Sequence, residues 1–281
     1  MPAISEIRPS PIAGRWYEGD PVRLAQEIDA YLDEATLPPL SGEVLGLVVP
    51  HAGIMYSGRT AAYGFKTVQG QQRDLVAILS PLHGFHPAPA LTSAHQAYQT
   101  PLGSQRIDGE AVRALDEGMR RQLGWGLTPV ARDQEHSLEI ELPFLQRALA
   151  GEFKLLPVML RTQEPEEVLQ LGGVLAEVLR GKNCLLVAST DLSHFFPERL
   201  AAQLDGEMLR QIGALSPDGV LEAEREERGF ACGVAAVAAV LYAARALGAS
   251  KVEILHHSTS GDTTGDHSSV VGYGAAAILK T

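Results

Sequence analysis

Residues 44–49 have the sequence Val-Leu-Gly-Leu-Val-Val, and Pro50 and His51 follow them, with Gly53 close behind. An apolar run of this length, closed by proline and glycine, is typical of a buried β-strand. The pattern returns at residues 74–79 and 184–188, and segments with helical periodicity separate the three runs. Strands that alternate with helices predict an α/β fold, here a three-layer α/β/α sandwich whose sheet is mixed and largely parallel.

The periodicity elsewhere predicts the remaining elements. Helices are predicted at residues 57–68, 110–122, 135–149, 164–179, 198–212, 217–227 and 233–247. Strands are predicted at residues 153–160, 252–257 and 269–279, and a hairpin within 89–106. Because no Pro-, Ser- or Gly-rich linker divides the chain, we predict one domain over residues 1–281, with the segment 8–17 laid over it.

The composition excludes several classes of protein. The 281 residues are 45% hydrophobic and 20% charged, which is ordinary for a globular protein and argues against disorder. A net charge of −11 makes nucleic acid a poor partner, because phosphate backbones bind Lys and Arg. The N-terminus carries no secretory signal, and the longest apolar stretch, 230–244, is shorter than the about 20 residues that cross a bilayer. We therefore expect a cytoplasmic protein without a membrane partner, in which Cys184 and Cys232 are reduced thiols.

Histidines follow three of the predicted strands. His51 comes after the run 44–49, His83 after 74–79 and His194 after 184–188. In open α/β sheets the ligand crevice lies at the carboxyl ends of the strands, so parallel strands would bring these three side chains to one edge. Imidazole is both the commonest metal ligand and the usual acid or base near neutral pH, and the sequence predicts a site of one or the other kind.

Three further residues are candidates with a structural alternative. Cys232 stands at the start of the predicted helix 233–247, where a thiolate is favoured, but it could equally be a small buried hydrophobic side chain. Asp191 could orient an imidazole or cap the following helix. His136 lies in Glu-His-Ser-Leu-Glu, which is not the HExxH zinc motif because the second histidine is missing.

The motifs as a set resemble the Memo family. Residues 50–58, Pro-His-Ala-Gly-Ile-Met-Tyr-Ser-Gly, resemble its PHAGYxYSG signature. The other matching segments occur in the family's order at residues 13–17 (AGRWY), 80–83 (SPLH), 135–145 (EHSLEIELPFL), 189–194 (STDLSH), 232–233 (CG), 259–262 (TSGD) and 271–273 (VGY). Ile54 and Ser80 depart from the usual Tyr and Gly of these motifs, and neither is a proposed ligand. Prokaryotic members are often called AmmeMemoRadiSam system protein B.

The resemblance implies a fold similar to that of class III extradiol dioxygenases, which are non-haem iron enzymes. In family members that bind metal, two histidines and a cysteine form the site, and the matching positions here are His51, His83 and Cys232. The implied cofactor is an iron or copper ion, with zinc as a further candidate. The matching positions for the other pocket residues are His194, as general base, Asp191 and His136.

The implied cysteine ligand bears on the chemistry. Dioxygenases of this type hold iron(II) with two histidines and one carboxylate, and here Cys232 takes the place of the carboxylate. A thiolate is a softer ligand, which favours copper, zinc or a more reducing iron site. Ring cleavage therefore does not carry over directly from the dioxygenases.

Three hypotheses about function follow. The first is a mononuclear metal protein with redox or dioxygenase-like chemistry on an unknown small molecule. The second is a non-enzymatic module that binds a peptide or a partner protein in the same pocket. The third is a metal-free thiol hydrolase with Cys232 as nucleophile. The resemblance also implies a functional link to a radical S-adenosylmethionine (radical SAM) protein and to an AMMECR-type protein.

Overall fold

Side chains along the central strands alternate between two hydrophobic cores. In strand β2 (Glu43–Val49), Leu47 and Val49 face one core and Val48 faces the other. Strand β3 (Leu75–Pro81) alternates in the same way and is buried along its whole length. Successive side chains of a strand point to opposite faces, so such strands need a hydrophobic layer on each side. In the computed structural model, which describes residues 6–281, helices cover both faces of the sheet and the predicted α/β/α sandwich is confirmed.

The bounds of the elements are as follows. The helices within residues 6–281 are α1 (Pro21–Glu34), α2 (Ile54–Lys66), α3 (Gly109–Leu123), α4 (Glu141–Ala148), α5 (Pro165–Leu179), α6 (Glu198–Gly213), α7 (Pro217–Arg225), α8 (Val234–Ala246) and α9 (Gly261–Thr264). The other strands in this range are β1 (Ile7–Arg8), β4 (Ala90–Ser93), β5 (Ala97–Thr100), β6 (Gly103–Arg106), β7 (Thr128–Val130), β8 (Lys154–Leu160), β9 (Cys184–Ser189), β10 (His194–Phe196), β11 (Lys251–Thr259) and β12 (Val270–Lys280).

The main sheet is mixed, with a parallel centre. Its strand order is β10-β12-β2-β9-β3-β8-β4-β7, and β11 pairs with β12. Strands β2, β9, β3 and β8 run parallel, whereas β12 pairs antiparallel with β2, and β4 pairs antiparallel with β8. Helices α1, α2 and α4 cover one face, and α3, α5, α6, α7 and α8 cover the other. The carboxyl ends of β2, β9 and β3 therefore lie side by side at one edge, as the histidine pattern predicts.

One predicted helix is shorter than expected. Residues 135–149 were predicted to be helical throughout, but α4 begins only at Glu141. The side chain of Glu135 accepts hydrogen bonds from the backbone N–H groups of His136 and Ser137, which fixes this segment as a separate turn. A carboxylate that binds nearby backbone N–H groups competes with helix formation. Helix α1 and the short elements β1, β4, β7, β10 and α9 were not predicted.

The N-terminal segment packs on the domain as expected. Ile12 and Tyr17 are buried in the same core as α1, α2 and α4, and the carbonyl of Trp16 accepts a hydrogen bond from the backbone N–H of Ile54. The hairpin predicted within residues 89–106 is formed by β5 and β6. Residues 1–5, on which part of the predicted domain and of the expectation about a secretory signal falls, lie outside the described residues.

None of the helices found within residues 6–281 is both long enough and apolar enough to cross a membrane.

A close approach of two helices gives a first prediction. A Cβ atom at Gly172 in α5 would lie 2.7 Å from the carbonyl oxygen of Ala239 and 2.9 Å from Cβ of Tyr242 in α8. We expect Gly172→Ala to lower the free energy of unfolding by about 1–3 kcal/mol, because the helices must separate. The matched control is Gly173→Ala, whose new Cβ meets only Cε1 of Tyr242, at 3.7 Å. The control is expected to be neutral or to stabilise by up to about 1 kcal/mol, and equal losses in urea unfolding would contradict the prediction.

Candidate metal centre

Three imidazoles meet at the carboxyl edge of the sheet. His51 follows β2, His83 follows β3, and His136 lies in the turn before α4. The ring centroids are 5.3 Å apart for His51 and His83, 5.5 Å for His51 and His136, and 4.6 Å for His83 and His136. One nitrogen of each ring lies within 4.8 Å of those of the other two. His51 is buried and His83 is exposed, so the group is accessible from the side of His83.

Each of the three rings has its Nδ1 atom placed next to an oxygen. Nδ1 of His51 lies 2.9 Å from Oγ of Ser189, and Nδ1 of His83 lies 2.9 Å from Oε1 of Glu135. Nδ1 of His136 lies 3.3 Å from the same Glu135 oxygen. Histidines that bind metals are usually oriented in this way, by an oxygen that contacts the nitrogen not used for the metal. The arrangement leaves Nε2 of each ring as the atom able to bind an ion.

Glu135 connects the histidines to the backbone around them. Its carboxylate accepts hydrogen bonds from the backbone N–H groups of His83, His136 and Ser137, at 2.6, 2.9 and 3.0 Å. Burial by itself would raise the pKa of Glu135, but these bonds and the interaction with the His83 ring lower it well below its usual range. Glu135 is therefore a buried carboxylate that remains charged at neutral pH.

The environment keeps two of the three imidazoles neutral. Burial, together with the charges of the neighbouring rings, lowers the pKa of His51 well below its usual value. Burial also lowers the pKa of His136 to about 4. His83 differs, because its hydrogen bond and ion pair with Glu135 outweigh its partial burial and raise its pKa. Only a neutral imidazole has a lone pair for a metal, so two of the rings are ready to bind one at neutral pH.

Cys232 lies beside His51. Its Sγ atom is 3.1 Å from Nε2 of His51 and accepts a hydrogen bond from the backbone N–H of Asp191 at 3.2 Å. Burial raises the pKa of the Cys232 thiol, and the negative charge of Asp191 acts in the same direction. A thiol that serves as a nucleophile needs a lowered pKa, so this environment does not favour the thiol hydrolase hypothesis.

Asp191 and His194 lie in the segment after β9. Oδ1 of Asp191 accepts hydrogen bonds from the backbone N–H groups of His51 and Ala52, at 2.8 and 3.2 Å. The carboxylate therefore holds the loop that carries His51, and it caps no helix. Burial raises the pKa of Asp191 to about 7. Nδ1 of His194 lies 2.8 Å from the carbonyl oxygen of Leu192, and burial lowers the pKa of His194.

The structure thus joins residues from both predicted sets, but His194, which was expected beside His51 and His83, is not part of the group of three rings. His136, predicted as a pocket residue, stands with His51 and His83 in the group of three rings. Cys232, predicted as a ligand, lies just before α8 and contacts His51. Glu135 and Ser189 were not assigned to the site. Glu135 carries one signal in the sequence, its position directly before His136, but nothing in the sequence pairs it with His83.

A buried ionic cluster supports the turn that contains Glu135 and His136. Arg8 forms ion pairs with Asp133 and Glu139 and donates a hydrogen bond to the backbone carbonyl of Glu135 at 2.7 Å. The hydroxyl of Tyr17 donates to Oε1 of Glu139 at 2.7 Å. Arg8 is only 1% exposed, and Glu139 is fully buried. The N-terminal segment therefore holds the turn that contains Glu135 and His136.

Three cavities adjoin the centre. The largest, of about 640 Å³, is lined by Trp16, Ala52 and Tyr56 among others, and it borders the histidines without including them. The ring of Trp16 packs on that of His136, with centroids 3.9 Å apart. A cavity of about 360 Å³ is lined by residues that include His83 and His136, and one of about 190 Å³ includes His83 and Cys232. A small molecule could therefore reach the centre from more than one side.

The sequence matches one family along almost its whole length. The profile of the family described as Memo-like protein matches residues 8–277. A MEMO1 family protein of Nitrosopumilus maritimus is 33% identical over 277 residues, which cover 97% of this chain and all of the relative. Those of Methanopyrus kandleri and Methanothermobacter thermautotrophicus are each 34% identical, over 96% and 95% of this chain and 98% of each relative.

Proposed function

The chain belongs to the Memo-like protein family, and from its site we propose that it is a mononuclear metal protein with redox or dioxygenase-like chemistry. His51, His83 and His136 would hold the ion, with the thiol of Cys232 as a further donor next to His51. The observation that carries the proposal is the convergence of three imidazoles whose Nδ1 atoms all lie beside oxygens.

The donor set fits a transition metal. Imidazole suits iron, copper and zinc, and a thiolate shifts the preference toward copper and zinc. Two of the imidazoles are neutral at pH 7, and the thiol lies within contact distance of the most buried one. An iron or copper ion bound there would supply one-electron redox chemistry, and a zinc ion would supply polarisation of a bound oxygen atom.

His194 is the residue of this site that we propose to move protons. A carbonyl oxygen only accepts, so the contact between Nδ1 of His194 and the Leu192 carbonyl places the proton on Nδ1 and a lone pair on Nε2. Burial lowers the pKa of His194, and the ring is therefore neutral at pH 7. A neutral imidazole with a free lone pair is the form that acts as a general base.

Asp191 and Glu135 would hold the ligands in place. Asp191 fixes the backbone of His51 and Ala52, and Glu135 fixes the rings of His83 and His136. The cavity beside Trp16 and Ala52 would take the substrate, which we propose to be an unidentified small molecule. The link to a radical SAM protein and an AMMECR-type protein stays a prediction.

Metal content tests the proposal. The wild-type protein, purified anaerobically and reconstituted with iron(II), copper(I) or zinc, is expected to hold about one ion per chain by plasma mass spectrometry. His51→Ala and His136→Ala should each retain less than about a tenth of that amount. Loss of a residue that only supports a ligand already weakens metal binding about 10-fold or more, and loss of the ligand itself should weaken it further. Cys232→Ser should lose copper more than iron, since oxygen is the harder donor.

A histidine outside the centre provides the control. His267 lies with its Nδ1 atom 2.7 Å from a carboxylate oxygen of Glu198, and His267→Ala should bind metal like the wild type. Absence of metal in the reconstituted wild type, or unchanged metal in His51→Ala, would overturn the proposal. The pocket would then be better explained by the non-enzymatic hypothesis, and partner binding by the same variants would be the next measurement.

A further inference from the structure

The hydroxyl of Ser189 contacts three groups at hydrogen-bond distance. Its Oγ atom lies 2.7 Å from the backbone carbonyl of Ser137, 2.6 Å from Oε1 of Glu141 and 2.9 Å from Nδ1 of His51. All four residues are buried, with exposed fractions of 0% for Ser189 and Ser137 and 1% for Glu141 and His51. The hydrogen bonds among these buried groups must therefore use protons that the groups themselves carry.

Counting the protons assigns them. A serine hydroxyl has one proton to donate and two lone pairs to accept with. The Ser137 carbonyl can only accept, so the Ser189 proton lies on that contact. The short contact between Oγ and Oε1 of Glu141 then needs a proton from Glu141, and the contact with His51 needs a proton on Nδ1 of His51. An ionised Glu141 would leave two acceptor oxygens competing for one proton at 2.6 and 2.7 Å.

We infer that Glu141 is held as a neutral carboxylic acid and that, through Ser189, it positions His51 in the tautomer that leaves Nε2 free for a ligand. Glu141 and Ser189 are positioning residues that touch neither the ion nor the substrate. The assignment of the His51 tautomer does not depend on the proposed function, whereas the use of this tautomer to bind a metal rests on it.

Two further observations agree with a neutral Glu141. Its second oxygen, Oε2, is buried and has no hydrogen-bond partner among residues 6–281. A buried oxygen without a hydrogen-bond partner costs much more free energy when it belongs to an ionised carboxylate than when it is a neutral carbonyl oxygen. Burial also raises the pKa of Glu141 well above its usual value, and the charge of Asp191 adds to the rise.

The inferred tautomer also explains how His51 meets Cys232. With the proton on Nδ1, Nε2 of His51 presents a lone pair to Sγ of Cys232, 3.1 Å away, so the thiol can donate to it. The two glutamate side chains that support the histidines then differ in charge. Glu135 supports His83 and His136 as a charged group, and Glu141 supports His51 as a neutral one, adding no negative charge to the centre.

Spectroscopy on the metal-free protein tests the inference directly. At neutral pH, the infrared difference between wild type and Glu141→Gln should contain the carbonyl band of a protonated carboxylic acid, lost in the variant. Two-dimensional ¹⁵N NMR, with the ring assigned by comparison with His51→Gln, should show His51 protonated on Nδ1. Absence of the acid band from the difference spectrum, or a proton on Nε2 of His51 in the wild type, would overturn the inference. Neither readout requires bound metal, so both can hold even if the proposed function fails.

The second measurement is metal affinity, obtained by titrating the metal-free protein with iron(II) or zinc. Glu141→Gln should bind within about threefold of the wild type, because its amide N–H replaces the acid proton as donor to Ser189. Ser189→Ala should bind about 10- to 100-fold more weakly and should show a mixture of His51 tautomers. Ser193→Ala is the matched control, since its hydroxyl is equally buried but has no hydrogen-bond partner within residues 6–281, and it should leave affinity unchanged. A folded Glu141→Gln variant that loses metal as strongly as Ser189→Ala would show that an ionised Glu141 is needed, and would contradict the inference.

Discussion

Replacing Glu135 with glutamine is expected to weaken metal binding by about 10- to 100-fold, the usual effect of removing a group that orients metal ligands. The carboxylate lies beside Nδ1 of both His83 and His136 and accepts the backbone N–H of His83 through its second oxygen. A glutamine side chain keeps one acceptor but turns an N–H group toward one of these donors. Titration of the metal-free protein with iron(II) or zinc measures the loss.

The pH dependence of metal affinity distinguishes the role of Glu135 in positioning His83 from a general loss of folding. Glu135 raises the pKa of His83, and a protonated His83 cannot bind metal. Metal affinity in the wild type should therefore fall as the pH drops through this raised pKa. In Glu135→Gln, burial lowers the pKa of His83 and only the smaller effect of the Asp191 charge opposes it, so the fall should move to lower pH.

The control for Glu135 is a second carboxylate paired with a histidine. Glu198 contacts Nδ1 of His267 at 2.7 Å on the surface, and Glu198→Gln should change neither the affinity nor its pH dependence. If Glu135→Gln bound metal as tightly as Glu198→Gln, the idea that Glu135 orients His83 and His136 would be wrong.

Replacing Arg8 with methionine is expected to lower the free energy of unfolding by about 3–5 kcal/mol, the usual cost of leaving a buried charge without its partner. The guanidinium of Arg8 is the partner of both Glu139, which is fully buried, and Asp133. It also donates to the backbone carbonyl of Glu135, so the turn that carries His136 loses a support as well. Urea unfolding of the metal-free protein measures the change.

Two comparisons identify the cause of that loss. Arg147→Met removes the exposed ion pair with Asp29 and should cost no more than about 1 kcal/mol. The double variant Arg8→Met, Glu139→Gln should be more stable than Arg8→Met alone, because no isolated charge remains on Glu139. Glu139→Gln is measured alone as well. If the double variant lost as much free energy of unfolding as Arg8→Met and Glu139→Gln together, or more, packing and not the unpaired charge would explain the effect.

The layers of the fold could be predicted because they depend on local patterns. Leu47, Val48 and Val49 alternate between two cores, and a strand that is apolar on both sides must be covered on both sides. Helix α8 was recognisable for a similar reason, since it is apolar almost all round and is buried. Helix 135–149 was predicted too long because the apolar spacing continues through a turn that the Glu135 side chain, not the spacing, determines.

The sequence by itself determined the α/β/α order of elements, the parallel centre of the sheet and the positions of His51, His83 and His194 at strand ends. These features follow from periodicity and from the direction of parallel strands, which are properties of neighbouring residues. Only the tertiary structure decided that His136 joins His51 and His83, that Glu135 orients two of these rings, and that Ser189 and Glu141 support the third. Apart from the adjacent pair Glu135 and His136, these contacts join residues 48 to 138 positions apart, and a hydrogen bond depends on distances of a few ångströms that no local pattern encodes.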